Sequence, residues 1–492
     1  MESARGVITE TALRALTWGA RRAGRIGPVR NALVAAAERR LAASAARPAS
    51  ELRNPPTVQA DKVAIARALV HLAERALAED RLSPASVRGL LGVLLGDVLL
   101  EHGRREVPRQ AFAARYGCSP PDFLTISPGK ACNLRCTGCY AASGPAREKL
   151  PWGALERTVE EAHARWGIRF FVLSGGEPFA YRDGGLGILD LASRHPDCYF
   201  LCYTNGTLID DATARRLGEV GNLSPGLSVE GLRGPTDARR GAGVFDRVVD
   251  AMGRLRREGV VFGLSLTATR ETAGAILSDE VVDLFFGRLG ALYAWVFHYM
   301  PIGRAFTLDL MPTPAQRMRL YERAWQLVRE RRLLVADFWT SGTATNGCVA
   351  GGRPGGYLHV NWNGDVSPCV FVPYSPVNVH EVFARGGTLD EVWAEPFFAA
   401  IRAWQRDYGY REAGEACPEC RNWLRPCLIR DHHEAFVRIV EAHRPRPTDD
   451  DARAALEDSA YHEGLFAFGE ELAALADPVW EERYLTAAPE SA

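Results

Sequence analysis

The chain has 492 residues, 47% hydrophobic and 24% charged, which excludes a disordered polymer or a small disulfide-stapled module and leaves room for about three domains. Its 59 Lys and Arg against 60 Asp and Glu give a formal charge of −1, which argues against nucleic acid as a partner. No apolar run approaches the ~20 residues that span a bilayer and the N-terminal residues lack the short apolar h-region of a secretory signal, so the eleven cysteines are expected in a reducing cytoplasm, where metal or redox chemistry outranks disulfides.

Residues 1–50 carry nine Arg and three Glu. Val29, Leu33, Ala37 and Leu41 recur at helical spacing beside Arg30, Arg39 and Arg40, and Ile8, Leu13 and Leu16 form a weaker stripe, so two short helices are predicted, broken around Gly27-Pro28. A basic amphipathic helix suits an anionic surface, so one reading of residues 1–50 is peripheral contact at the inner membrane face; the other is packing on the protein itself. Residues 46–61, with Pro48, Pro55 and Pro56, read as a linker, and 62–101 as two helices, the second capped by Ser83-Pro84. Residues 1–118 are taken as a helical N-terminal region.

From Phe123 the pattern changes to strands alternating with helices. Candidate strands are Phe123–Ser127, Arg169–Ser174, Tyr199–Thr204, Gly226–Val229, Val261–Thr267 and Tyr293–Tyr299, separated or followed by helices at about 154–166, 184–194, 209–218, 244–258, 278–289 and 314–332. Such a βα repeat predicts an α/β fold with a parallel sheet and a site at the strand C-terminal ends. The alternation stops after Asp337, where Trp362-Asn363-Gly364-Asp365 predicts a hairpin. The tail beyond Arg444 reads as helical. The expected divisions are 119–336, 337–443 and 444–492.

Cys132, Cys136 and Cys139 form a C-x3-C-x2-C loop directly after the first strand. Thiolates this close grip one metal centre; three from one loop would leave one iron of an iron–sulfur cluster open, and the alternative is zinc or a reduced loop. The spacing and place of this loop resemble the radical S-adenosylmethionine (radical SAM) superfamily. The resemblance implies a partial, six-stranded (β/α) barrel of TIM type, a [4Fe–4S] cluster on the three cysteines, and S-adenosylmethionine bound at the open iron and cleaved to a 5′-deoxyadenosyl radical. It also implies an electron donor such as flavodoxin or ferredoxin. Gly175, Gly176, Glu177 and Pro178 look like the family's GGEP turn, with Glu177 receiving the cosubstrate ammonium. Asn205 ends strand three, and Ser228 and Glu230 end strand four where the family contacts ribose. The family's aromatic residue before the third cysteine is Gly138 here; either Tyr140 or the backbone takes its place beside the adenine. His298 and Arg304 end strand six and read more readily as structural residues.

A second set follows: Cys348-x15-Gly364-x4-Cys369, then Cys417-x2-Cys420-x6-Cys427. It resembles the C-terminal extension called SPASM or its shorter relative twitch. The resemblance implies an auxiliary [4Fe–4S] cluster on Cys348, Cys369, Cys417 and Cys420, with Cys427 spare or replacing one of them. The family's next spacing is x5 where this chain has x6, and Asp431 stands where it has a further cysteine. His432 and His433 read as solvated, and Cys118, Cys198 and Cys202 as structural. The function expected is an enzyme that abstracts hydrogen from a peptide, small-molecule or lipid substrate, the auxiliary cluster accepting an electron or anchoring substrate; the rival is a non-catalytic iron–sulfur or zinc scaffold.

Overall fold

A computed structural model describes residues 27–45, 54–78, 81–95, 102–304, 306–410 and 421–486. Its centre is a sheet in which β1 (Phe123–Ile126), β2 (Phe170–Leu173), β3 (Tyr199–Thr204), β4 (Leu223–Val229), β5 (Gly263–Ala268) and β6 (Tyr293–His298) are neighbours in chain order and all parallel. These are the six strands that the sequence predicts. β4 is buried at every position, as parallel strands covered by crossover helices must be.

Two more strands extend the parallel run to eight. β7 (Leu334–Asp337) pairs with β6, and β8 (Tyr357–Val360), the first arm of the Asn-Gly hairpin, pairs in parallel with β1, Phe123 standing between Phe170 and Tyr357. β8 then pairs antiparallel with β9 (Asp365–Ser367). The segment 338–356 therefore carries the chain from one end of the parallel run to the other, and the cysteine-rich region is continuous with the barrel sheet. His359 staples the junction, its Nε2 lying 2.9 Å from Ser127 Oγ and its Nδ1 3.1 Å from Ser367 Oγ.

The helices follow local signals. Trp152–Trp166 ends at Gly167 in the left-handed region with φ 65°, and Pro314–Arg329 starts in a Thr313/Gln316 capping box with proline at its first position. Arg233–Arg240 is a helix with no apolar periodicity and was not expected. On the N-terminal side, helices cover Gly27–Ala45, Pro56–Ala78, Pro84–Leu95 and His102–Tyr116, so the predicted linker ends at Pro56. The helix Gly27–Ala45 docks on Pro56–Ala78, where Glu38 binds Arg67 at 2.9 Å and His71 at 3.0 Å. Residues 1–26 and 46–53, part of the basic segment, lie outside the described residues. No described helix is long and apolar enough to cross a membrane.

Candidate functional site

A cavity of about 260 Å³ opens at the C-terminal ends of the strands and touches Cys132, Cys136 and Cys139. The cysteine loop is held by its backbone: Cys132 N donates to Gly144 O at 2.9 Å, and Arg304 donates to Cys136 O at 2.9 Å and to Ser143 O. Arg304 is thus a clamp on the loop. The Gly-Gly turn serves the same loop, since Gly176 N donates to Gly129 O and Glu177 N to Ala131 O, and a Cβ at Gly176 would stand 2.2 Å from Ala131 O.

The predicted contact residues divide into two groups. Tyr140, Gly175, Gly176, Asn205 and Ser228 line the cavity. Glu177, Pro178 and Glu230 stand behind its wall. Glu177 accepts from Thr204 Oγ1 at 2.6 Å, Asn205 N at 2.8 Å and Phe179 N at 3.1 Å; burial raises its pKa against these donors. Glu230 accepts from Arg239 and twice from Arg240 at 2.6–2.7 Å. Burial alone would raise its pKa, but Arg240 and Arg239 hold it below the ordinary carboxylate value. A sugar hydroxyl would have to displace one of these arginines to reach Glu230.

Gly138 has φ +63°, and a Cβ there would lie 2.5 Å from a ring carbon of Tyr299 and 3.0 Å from Leu310 Cδ1. The space of a side chain at 138 is therefore filled by Tyr299, a buried residue at the end of β6 that also lines the cavity. Tyr140 hydrogen-bonds Ser174 Oγ and accepts from Gly175 N at 3.2 Å. Neither role of Tyr299 is readable from its position in the sequence.

Three aromatic residues carry the cavity wall toward the second cysteine set. Tyr140 meets Phe371 at 5.7 Å between ring centroids, and Phe371 meets Trp339 at 5.2 Å. Phe371 is two residues from Cys369, onto whose Sγ its N–H is directed at 3.5 Å, and Trp339 hydrogen-bonds Cys427. Cys369 is buried and Cys348 and Cys427 are half-buried, near enough for the charge of Cys348 and Cys427 to act on Cys369. Cys417 and Cys420 lie outside the described residues. Asp431 is bound by Arg317, Arg430 and the Cys427 amide.

The first set suits a cluster better than a single zinc ion. Zn–S bonds of about 2.3 Å in a tetrahedron bring sulfurs to within roughly 4 Å of one another. Among the described residues, the one set of three or more candidate ligands with atoms all within 4.8 Å is His163, Asp197 and Cys198, far from either set in the chain. Burial first, then the neighbouring Glu177, Cys136 and Cys139, push Cys132 up to about 11. An electropositive centre is what would draw this proton off.

His298 and Asp337 form a wholly buried pair at the cavity, Nε2 to Oδ2 2.8 Å. The carboxylate also accepts from Trp339 N and Thr340 N at 2.9 and 3.0 Å. Burial, aided by Arg430 and Arg317, lowers the His298 pKa against the pull of Asp337. The ring is then neutral, donates from Nε2, and keeps a lone pair on Nδ1, which has no hydrogen-bond partner among the described residues. The sequence flagged His298 without Asp337, because β7 was not foreseen. His432 and His433 are not solvated: His432 is half-buried against Arg425 O at 2.9 Å, and His433 is buried between Ile429 O at 2.7 Å and His462 at 2.8 Å.

Comparison with known proteins finds two domain families in the chain. The radical SAM superfamily matches residues 126–272, and the SPASM iron–sulfur cluster-binding domain matches 348–421. The chain is a radical SAM enzyme with a SPASM domain. It therefore uses a [4Fe–4S] cluster and S-adenosylmethionine, with auxiliary iron–sulfur chemistry in the SPASM domain. Mycofactocin maturase MftC of Mycobacterium ulcerans is 29% identical over 329 residues, 64% of this chain and 85% of that one. Fe-coproporphyrin III synthase of Methanosarcina barkeri is 32% identical over 174 residues, 35% of this chain and 43% of that one. Streptococcus suis SuiB bound to precursor peptide SuiA shares the fold, with a TM-score of 0.51 and 21% identity over 64% of this chain and 73% of that one.

Proposed function

We propose that this radical SAM enzyme modifies a precursor peptide by abstracting hydrogen from a residue held in the barrel cavity and completing a two-electron oxidation there. The observation that carries this reading is one cavity that touches the three-cysteine loop, the His298–Asp337 pair and the aromatic wall leading to Cys369 and Cys427. When bound through Cys132, Cys136 and Cys139, the cluster and S-adenosylmethionine supply the 5′-deoxyadenosyl radical, the first electron coming from a flavodoxin or ferredoxin.

This chain's own residues then do the rest. Tyr140, Ser174 and Gly175 fix the wall beside the loop, and Glu177 ties β2 to β3 through Thr204 and Asn205, so that Asn205 is presented at the cavity. The wall's apolar rings exclude water from a reactive radical. His298 Nδ1 accepts the proton that the oxidised substrate releases, with Asp337 fixing the tautomer and steadying the imidazolium. Cys348, Cys369 and Cys427, with Cys417 and Cys420, are the ligands available to one auxiliary cluster. Asp431, bound to two arginines, is not among them.

Two points support a peptide over a lipid. A relative matched over 85% of its length is a maturase, and the one described helix of the basic segment is occupied with its neighbour through Glu38. The test is anaerobic incubation of reconstituted enzyme with S-adenosylmethionine, dithionite and short peptides encoded beside its gene. The reading expects 5′-deoxyadenosine together with a peptide that has lost two hydrogens. Modification of an isolated lipid, with all such peptides unchanged, would overturn it.

A further inference from the structure

A separate cluster of metal-ligating side chains stands at the N-terminal end of β3, and none of it lines the cavity. His163 is in the last turn of the helix Trp152–Trp166, and Asp197 and Cys198 close the turn that leads from the helix Ile188–Arg194 into β3. His163 Nε2 lies 3.0 Å from Asp197 Oδ2, and Cys198 Sγ lies 4.0 Å from Asp197 Oδ1. The ligand atoms of all three residues fall within 4.8 Å of one another. The His195 ring is near enough for the charges of Asp197 and His163 to act on it, and its Nε2 is buried with no hydrogen-bond partner among the described residues.

The frame that carries these groups is fixed by backbone and by Asn222. This buried residue holds its Nδ2 2.9–3.0 Å from the carbonyls of Ala192, His195 and Cys198, and Cys198 N donates to His195 O at 3.0 Å. A tetrahedral zinc ion sets an N–O ligand pair about 3.4 Å apart and an S–O pair about 3.6 Å apart, given its bond lengths. The separations of 3.0 and 4.0 Å each lie within about half an ångström of those values. An ordinary surface ion pair needs only His163 and Asp197. A buried thiol on the other oxygen of the same carboxylate, with an unpartnered imidazole nitrogen nearby, is a ligand set of borderline-soft type, which suits zinc and not magnesium or calcium. His163 holds the Asp197 carboxyl down to about 2, whereas burial, and then Asp197, push the Cys198 thiol well up. The carboxylate is thus ready to bind, and a divalent cation is what would draw the thiol proton off.

We propose that His163, Asp197 and Cys198 bind one divalent cation of the zinc class, the fourth position being taken by His195 Nε2 or by water. The exchange balances: the ion replaces the imidazolium proton that Asp197 holds on His163 and the thiol proton of Cys198, so two protons leave and the ion with its three side chains is neutral. The bound ion ties the helix Trp152–Trp166 to the start of β3, the strand whose other end carries Thr204 and presents Asn205 to the cavity. Its role is to stiffen this part of the barrel wall without touching substrate. The site is independent of both cysteine sets and of the peptide reading.

The experiment uses the full chain, anaerobically reconstituted and iron-replete so that the cluster cysteines are occupied, and titrates it with zinc chloride against a chromophoric chelator. The wild type should take up about one zinc per chain with its iron unchanged. Its melting temperature should rise with zinc concentration, as binding to the folded state alone requires. Loss of an outer partner of a metal ligand already costs about 10–100-fold in affinity, so His163→Gln and Cys198→Ser should each weaken zinc binding at least about tenfold at unchanged iron content. His163 is 33% exposed at its side chain, so His163→Gln reads the site even where Cys198→Ser disturbs folding. No zinc uptake by the iron-replete wild type, uptake matched by loss of iron, or wild-type affinity in His163→Gln would each overturn the proposal.

Discussion

Replacing Gly138 by Ala perturbs the cysteine loop at the place where Tyr299 crosses it. Two costs follow from the geometry. The backbone has φ +63°, a conformation that costs an L-residue roughly 1–2 kcal/mol. The new Cβ would stand 2.5 Å from the Tyr299 ring and 3.0 Å from Leu310, and Tyr299, at 2% exposure, has little room to retreat; overpacking of this kind costs about 1–3 kcal/mol. Together they disfavour the loop's conformation by about 2–5 kcal/mol, and every 1.4 kcal/mol is a factor of ten. Iron content after anaerobic reconstitution and the rate of 5′-deoxyadenosine release with dithionite and S-adenosylmethionine should both fall, the rate by about tenfold or more. Adding Tyr299→Ala should restore the steric part and leave the backbone part. A Gly138→Ala enzyme with wild-type iron content and rate would show that Tyr299 is not fixed against this loop.

Cys427→Ala should lower the iron count by the amount of one cluster while leaving 5′-deoxyadenosine release intact; full iron in that variant would make Cys427 spare. His298→Gln and Asp337→Asn should still release 5′-deoxyadenosine but form little oxidised peptide, and product at the wild-type rate would remove the proton-acceptor role. Burial holds His359 down to about 3, below its ordinary value of about 6.5, so the unfolded chain takes up a proton that the folded chain refuses as pH falls from about 6.5 toward 3. Stability conferred by the neutral staple is full above pH 6.5 and drops by about 1.4 kcal/mol per unit below it. Melting temperatures at pH 7 and 5 should therefore converge in His359→Gln relative to wild type, and an equal pH slope in both proteins would refute the assignment.

The six central strands were legible because each is a short β-rich run between helical stretches, and the first cysteine loop because its spacing is local. β7 escaped because Leu334–Asp337 is four residues long and follows a helix without a turn signal, and with it went the partner of His298. β8 was seen as a hairpin arm, but its parallel pairing with β1 joins residues more than two hundred apart, which no local pattern records. Gly138 was noticed as a departure, and Tyr299, which fills its place, comes from the far side of the barrel. Glu177 and Glu230 were read as ligand contacts from their places at strand ends and their resemblance to the family's segments; the helix Arg233–Arg240 that supplies two arginines to Glu230 is mostly polar and has a Gly-Pro pair near its start. The arginines around Cys427 were invisible for the same reason, since burial of a charge is a tertiary property.

The account depends first on the three-cysteine loop holding a redox-active cluster that cleaves S-adenosylmethionine. The direct measurement is 5′-deoxyadenosine release by anaerobically reconstituted, dithionite-reduced enzyme, set beside the Cys132→Ala, Cys136→Ala, Cys139→Ala variant. The wild type should release 5′-deoxyadenosine and methionine in equal amounts, and the variant none while keeping its auxiliary iron. A wild-type protein that holds zinc without acid-labile sulfide, or holds both clusters and leaves S-adenosylmethionine intact, would contradict it.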